Sequence, residues 1–409
     1  MYLKQRRLAI AITLFSISLT ACGISISANM DEAQLAPPAE QQAEDEALAP
    51  TLEAAPQPDG LPSGVLVDPQ TGESLLVYNA NGQYEYALNT PGLGSYSAQK
   101  IHLAGSGSSA PLIYHSWDPQ QALQVNEQGN ISTLRSTDAF FSMTGAQGQS
   151  AAAFSEVVID GTAPHSYLYA GNLDTLASTG PFYDLKDESM QMALLPVAVD
   201  ATADQPQTVW YTHSAWGIGG VDLIFPINRG LYAYDLGNHQ AVQALDPERN
   251  FQGISPDMRY AGSKTFDAQA DQSMTVTDIL SGQQTVFPLR ADSDRGAGYA
   301  VFSPDSQLIA WLEAGGSFAA KPSTYRSVVR IGEVGNGSVD YDIEDSSVAQ
   351  ALSAAQITFM YPVGWLDNQT LLIETRTVDW GQVVLVRADL ADGTLAYFCD
   401  GAFAEFVYP

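Results

Sequence analysis

Phe302-Ser303-Pro304-Asp305-Ser306-Gln307-Leu308-Ile309-Ala310-Trp311 reads as strand, tight turn, strand, and this stretch decides the fold. Proline presets φ for the first turn position, and the Ser and Asp side chains accept backbone N–H bonds, so the chain reverses between two apolar runs. Ile254-Ser255-Pro256-Asp257 begins the same pattern one unit earlier. Val363-Gly364-Trp365-Leu366-Asp367-Asn368-Gln369-Thr370-Leu371-Leu372-Ile373 repeats it one unit later without the proline.

A second turn recurs along the chain. A strand running into an Asx- or Gly-rich turn occurs seven times, with turns starting at Asp68, Asn126, Gly171, Asp235, Asp278, Gly332 and Asp389. Asx side chains cap such turns and glycine takes positive φ without a Cβ clash. Successive starts lie 43 to 64 residues apart, which suits about four strands per unit. Asp257 precedes Asp278 by 21 residues and Asp367 precedes Asp389 by 22, so the two turn types keep a nearly constant phase, as hairpins of one sheet should.

With its flanking strands, the Ser-Pro-Asp turn resembles the repeat of TolB-like and WD-repeat-like β-propellers. The likeness is sharp over residues 254–261 and 302–311, degenerate over 363–373, and extends weakly over 64–397. The family usually has glycine after the Asp, where this chain has Met258, Ser306 and Asn368. The resemblance implies an all-β propeller, for which we expect seven blades, with six as the alternative. The first strands near Gly64–Tyr78 and the last near Thr394–Tyr408 should complete one sheet, hiding strand edges without disulfides. Helix formers over Leu185–Leu195 and Ser346–Gln356 predict two short helical inserts.

Outward from this body, the N-terminus is an address. Lys4, Arg6 and Arg7 precede an uncharged apolar run, Leu8–Leu19, that is short for a bilayer span. It ends in Leu19-Thr20-Ala21-Cys22-Gly23, which resembles a bacterial lipoprotein signal. That resemblance implies cleavage between Ala21 and Cys22, lipid on the Cys22 thiol, and a place outside the cytoplasmic membrane. Residues 1–21 are then the signal, 22–60 a tether and 61–409 the propeller. The tether carries eight acidic side chains, no Lys or Arg, five prolines and no aromatic residue, so it cannot bury enough apolar surface to offset its ordering entropy.

Charge excludes some partners. The chain has 46 acidic against 17 basic side chains, a net charge of −29; losing the three basic residues of 1–21 leaves 14 basic and a net of −32. Phosphate backbones and anionic lipid headgroups need clustered Lys and Arg, so no nucleic acid is expected and the bilayer is met only through the acyl anchor. With Cys22 acylated, Cys399 stands alone and reads as a small buried hydrophobe.

No catalytic constellation is legible. There is no Gly-x-Ser-x-Gly elbow, and the histidines at 102, 115, 165, 213 and 239 show no metal-ligand spacing, so catalytic residues, cofactor and metal are all expected to be none. Gly105–Ser109 lacks the lysine of a phosphate loop and reads as an inter-strand connection. Trp216–Gly220 reads as an inter-blade loop with an exposed Trp. The acidic groups Asp184/Asp187/Glu188, Asp292/Asp294 and Asp340/Asp342/Glu344/Asp345 match no EF-hand and read as solvated charge. The expectation is a monomeric, non-catalytic binding or scaffold protein of the cell envelope, taking an envelope protein, peptide or glycan. The rival is a polysaccharide hydrolase or lyase with carboxylates at the funnel. Replacing Cys22 by Ser should move the protein from the membrane fraction to the soluble one; Cys22→Ser that stays membrane-bound at unchanged gel mobility contradicts lipidation.

Overall fold

The computed structural model describes residues 60–93, 101–117, 120–136, 140–160, 163–173, 175–176, 178–186, 192–215, 224–266, 272–318, 320, 323–377 and 382–409. The Ala21–Cys22 site and the tether therefore lie outside the described residues. So do Trp216–Gly220, Asp187 and Glu188.

The strands follow in chain order as antiparallel meanders. They begin with β1 (Gly64–Asp68), β2 (Ser74–Asn79), β3 (Tyr84–Asn89), β4 (Ile101–Leu103), β5 (Leu112–Trp117), β6 (Gln120–Val125) and β7 (Ile131–Ser136). Next come β8 (Phe140–Gly145), β9 (Ala151–Asp160), β10 (Ala163–Asn172), β11 (Tyr183–Lys186), β12 (Met192–Thr202), β13 (Gln205–Ala215), β14 (Asn228–Asp235) and β15 (Gln240–Ile254). Then follow β16 (Tyr260–Thr265), β17 (Met274–Asp278), β18 (Gln284–Phe287), β19 (Gly296–Phe302), β20 (Leu308–Gly315), β21 (Arg326–Glu333) and β22 (Val339–Glu344). A helix α1 (Asp345–Ala351) precedes β23 (Ile357–Trp365), β24 (Thr370–Thr377), β25 (Val383–Asp389), β26 (Thr394–Asp400) and β27 (Ala402–Val407).

Among the described residues these strands form five four-stranded sheets and one seven-stranded sheet, β12 through β18. The long β15 belongs to both halves of that sheet: Gln240–Asn250 pairs with β14 and Arg249–Ile254 pairs with β16. The last strand, β27, pairs with β1, placing Val407 opposite Gly64 and Ala402 opposite Asp68. This is the expected meeting of chain ends, with one refinement: β26 stays in the preceding sheet and Gly401 (φ +116°) turns the chain into β27.

The architecture is an all-β propeller. Its core lies between successive sheets: Leu66 and Leu75 pack with Leu112 and Tyr114, while Ala310 and Val329 pack with Met360 and Leu371. One such cluster sets Trp210 and Leu231 against Ala261 inside the seven-stranded sheet, so that sheet packs upon itself.

The two Ser-Pro-Asp turns have the same hydrogen bonds. The Ser303 hydroxyl donates to Asp305 Oδ1 at 2.6 Å and accepts from Leu308 N at 2.9 Å; Ser255 repeats this with Asp257 at 2.6 Å and Tyr260 N at 2.8 Å. Met258 (φ +55°) and Ser306 (φ +59°) adopt the left-handed conformation that explains the family's glycine at this place. The Asp367 turn differs: Asn368 has no positive φ, and Asp367 caps Gln369 N and the Thr370 hydroxyl.

Two expectations are corrected. The turn after Asp68 joins β1 to β2, whereas the equivalents of the other six turns follow the third strand of a sheet, so the matching turn is Asn79–Gly82, after β2. Both places carry an Asx residue capping the backbone two positions on, which makes them alike in sequence. Leu185–Leu195 is not a helix where described: Tyr183–Lys186 is β11 and Met192 opens β12, because burial of Leu194 and Leu195 between sheets overrides helix propensity. The second insert forms as α1.

Ser306 is 1% exposed and its hydroxyl has no hydrogen-bond partner among the described residues. Ser306→Gly removes both the left-handed strain and the buried orphan, against a smaller entropic loss, and should stabilise the protein by about 1 kcal/mol. Ser306→Val should destabilise it. Urea denaturation checks the pair, and a less stable Gly variant contradicts the assignment.

Candidate functional site

The strands nearest the axis are β4, β8, β12, the second half of β15, β19, β23 and β27, and all seven line one cavity of about 810 Å3. Its lining includes Pro256 and Pro304 of the Ser-Pro-Asp turns, together with Gly60, Pro62 and Pro409. Crowding at the axis selects small residues. A Cβ on Gly145 would lie 2.1 Å from the His102 ring, and one on Gly253 would lie 2.0 Å from the Ala300 carbonyl oxygen.

Among the described residues two carboxylate side chains line this cavity, those of Asp200 and Glu405. Glu405 is engaged. Its Oε2 accepts Leu103 N at 2.6 Å and its Oε1 lies 3.1 Å from His102 Nδ1. His102 is fully buried and its Nε2 lies 2.9 Å from the Gln149 carbonyl, so the imidazole ties β4, the β8–β9 turn and β27 together. Burial pushes this imidazole toward neutrality, but the Glu405 charge, its hydrogen bond and the Gln149 carbonyl outweigh burial and raise the pKa above the ordinary value. Asp200 is half-buried and has no cationic partner among the described residues. Burial raises its pKa, opposed by a hydrogen bond from the Ala201 backbone.

At the other end of the inner strands, a smaller cavity of about 180 Å3 is walled by Gln252, Tyr299, Tyr361 and Phe403. Tyr299 sits at φ +53°, an outlier for a bulky residue, and its N–H donates to Gln252 Oε1 at 3.2 Å. The Tyr299 and Tyr361 rings lie 4.9 Å apart. Behind them Glu374 accepts Phe403 N at 2.9 Å and a hydrogen bond from Tyr361; burial raises its pKa against these bonds.

The acidic groups singled out in the sequence are structural where described. Asp292 meets Arg290 (3.2 Å) and Arg326 (3.4 Å), Asp342 meets Arg330 (3.0 Å), and Glu344 meets Arg290. Asp184 meets His165 at 2.9 Å. No group of three His, Cys, Asp or Glu able to hold a metal ion occurs among the described residues. Gly105–Ser109 connects β4 to β5, with Gly107 N donating to the Tyr86 hydroxyl at 2.9 Å. Cys399 is buried, which lifts its thiol to about 12 and keeps it protonated. Sequence reasoning missed the His102–Glu405 pair because its members lie 303 residues apart; the one available signal was the expected meeting of the chain ends.

No protein-family model matches the chain, and no curated protein matches it in sequence. Its fold is similar to that of an oligogalacturonate lyase from Vibrio parahaemolyticus, at 12% identity and TM-score 0.50, over 80% of this chain and 86% of that one. Similar structures also include a puromycin-hydrolyzing peptidase of Mycobacterium tuberculosis (11% identity, TM-score 0.48, 85% of this chain and 55% of that one). TolB from Acinetobacter baumannii is a further one (14% identity, TM-score 0.37, 84% and 80%). At such identities the likeness concerns the fold alone.

Because the folded pKa of His102 is raised, its contribution to stability is fully present below the unfolded value of about 6.5 and is lost as pH rises through the folded one. Glu405→Gln leaves only the Gln149 carbonyl to oppose burial and should lower the His102 pKa, with about 1–3 kcal/mol lost at pH 5 and less above neutrality. NMR titration of His102 checks the direction; an unchanged pKa contradicts the pairing.

Proposed function

We propose that this chain is a lipid-anchored propeller of the cell envelope that binds a polypeptide partner through its central channel and does not transform a substrate. The observation that carries this reading is the state of the two side-chain carboxylates of the cavity: Glu405 is held by His102 and Leu103 N, while Asp200 has no cationic partner among the described residues. An unpaired, partly desolvated carboxylate recognises a cation, so the favoured partner presents a lysine, an arginine or an amino terminus. The acidity of the whole chain would draw such a partner in.

We count seven blades by dividing the seven-stranded sheet within β15, whose two ends pair with different neighbours. Seven inner strand segments around one cavity support that count. The envelope address rests on Lys4, Arg6, Arg7 and the Leu19–Cys22 run. Against a polysaccharide hydrolase stands the engagement of Glu405, since hydrolysis of a glycosidic bond uses two free carboxyl groups on either side of it.

The full mature chain at physiological salt, titrated with a fluorescent peptide carrying a single lysine, tests the reading. Binding should weaken about tenfold, worth ~1.4 kcal/mol, in Asp200→Asn. It should also fade as pH falls through the raised Asp200 pKa. Asp184→Asn, on an outer strand, should leave it unchanged. A peptide that binds wild type and Asp200→Asn equally, or does not bind at all, contradicts the proposal.

A further inference from the structure

The smaller cavity, of about 180 Å3, is walled by three rings, those of Tyr299, Tyr361 and Phe403, together with Gln252 and four aliphatic side chains. All three rings are half-buried. Ala300, Val301, Val363 and Phe403 line the central channel as well, so the two spaces adjoin and a solute in the channel can reach the rings. One wall is held in place against the backbone's preference. Tyr299 keeps φ +53° where the β19–β20 register shifts between Gly298 and Val301, and Gln252 Oε1 fixes its N–H at 3.2 Å. A bulky side chain stays in the left-handed region only where its surroundings over-determine it, and such strain gathers at ligand sites.

The chemistry of the wall narrows the guest. No charged side chain is in the lining. Gln252 is committed, since its Oε1 accepts Tyr299 N and its Nε2 donates to Asn250 Oδ1 at 3.0 Å. The Tyr361 hydroxyl donates to Glu374, which leaves the Tyr299 hydroxyl as the one uncommitted side-chain polar group of the wall. A primary ammonium, a sugar or a carboxylate would bury hydrogen-bonding groups here without partners, at a cost. The rings offer negative π faces instead, and the bond from Tyr361 to a carboxylate enriches its ring further. Glu374 itself is 2% exposed, accepts Phe403 N at 2.9 Å and meets Arg376 at 3.5 Å, so its own charge is largely spent. Among the described residues no side-chain cation lies over the Tyr299, Tyr361 or Phe403 ring; Lys264 Nζ covers the next ring along, Phe225, at 3.9 Å.

We propose that the Tyr299–Tyr361–Phe403 cavity binds a quaternary ammonium compound of about the size of choline, independently of Asp200 in the channel. Such an ion spreads its charge over methyl groups, has no N–H to satisfy and is drawn to aromatic faces. The space is adequate: a cavity of about 150 Å3 admits a benzene-sized guest, and this one has about 180 Å3. The net charge of −29 disfavours anions and enriches cations near the molecule. A neutral guest of the same shape gains the burial without the attraction to the rings, so charge is what the site selects.

The test titrates the full mature chain by calorimetry at constant ionic strength with choline chloride and with 3,3-dimethylbutan-1-ol, its neutral carbon isostere. Choline should bind saturably and at least about tenfold more tightly than the alcohol. Tyr299→Asn removes a ring and places a residue that tolerates the left-handed conformation, and Phe403→Leu removes another while leaving its N–H to Glu374. Each should weaken choline at least about tenfold, whereas Asp200→Asn should leave it unchanged. Four results overturn the proposal: no saturable choline binding, an alcohol that binds as tightly as choline, ring variants that bind choline like the wild type, or a loss confined to Asp200→Asn, which would put the cation in the channel.

Discussion

The antiparallel pair of β27 with β1 is the contact on which the rest depends. It joins residues more than 330 positions apart, Gly64 to Val407 and Asp68 to Ala402, and so turns a row of meandering sheets into a ring. The energetic logic is that of any strand edge: its unpaired N–H and C=O groups must be satisfied, and the chain ends satisfy each other. The ring then lets every sheet bury both faces against neighbours, which is why the apolar clusters alternate with the sheets. No disulfide takes part, since Cys399 is free and buried.

The channel is a consequence of that closure. Seven strand segments converge on an axis with little room, so glycines stand where neighbours touch, as Gly145 does beneath His102. Charge in such a place is costly unless paired. The fold answers by pairing: Glu405 with His102 at the axis, and the 0%-exposed Glu313 with Arg330 and the Trp311 indole within its sheet. Asp200, which has no cationic partner among the described residues, is therefore the informative one of the two cavity side-chain carboxylates.

Much of the fold was legible because turns are local. Ser303 and Asp305, or Asp235 and Gly237, make their hydrogen bonds within a few residues, so their chemistry is written in short stretches. The same locality produced the misphased first unit, where Asp68 and Asn79 build equivalent caps on different hairpins. What was not legible is the long-range pairing. His102 with Glu405, and Tyr361 with Glu374 behind Tyr299, are set by which inner strands become neighbours, and Leu194 and Leu195 join a strand because of what covers them.

Native-state hydrogen exchange tests the closing contact most directly. If β27–β1 closes the ring, the amides of Val65, Leu66 and Val67 exchange only through global unfolding, with the same free energy as those of Leu372 and Leu385 in the interior of β24 and β25. Exchange of the β1 amides at a much lower free energy, while β24 and β25 stay protected, would mean that the ring stands without this pair and would contradict the account.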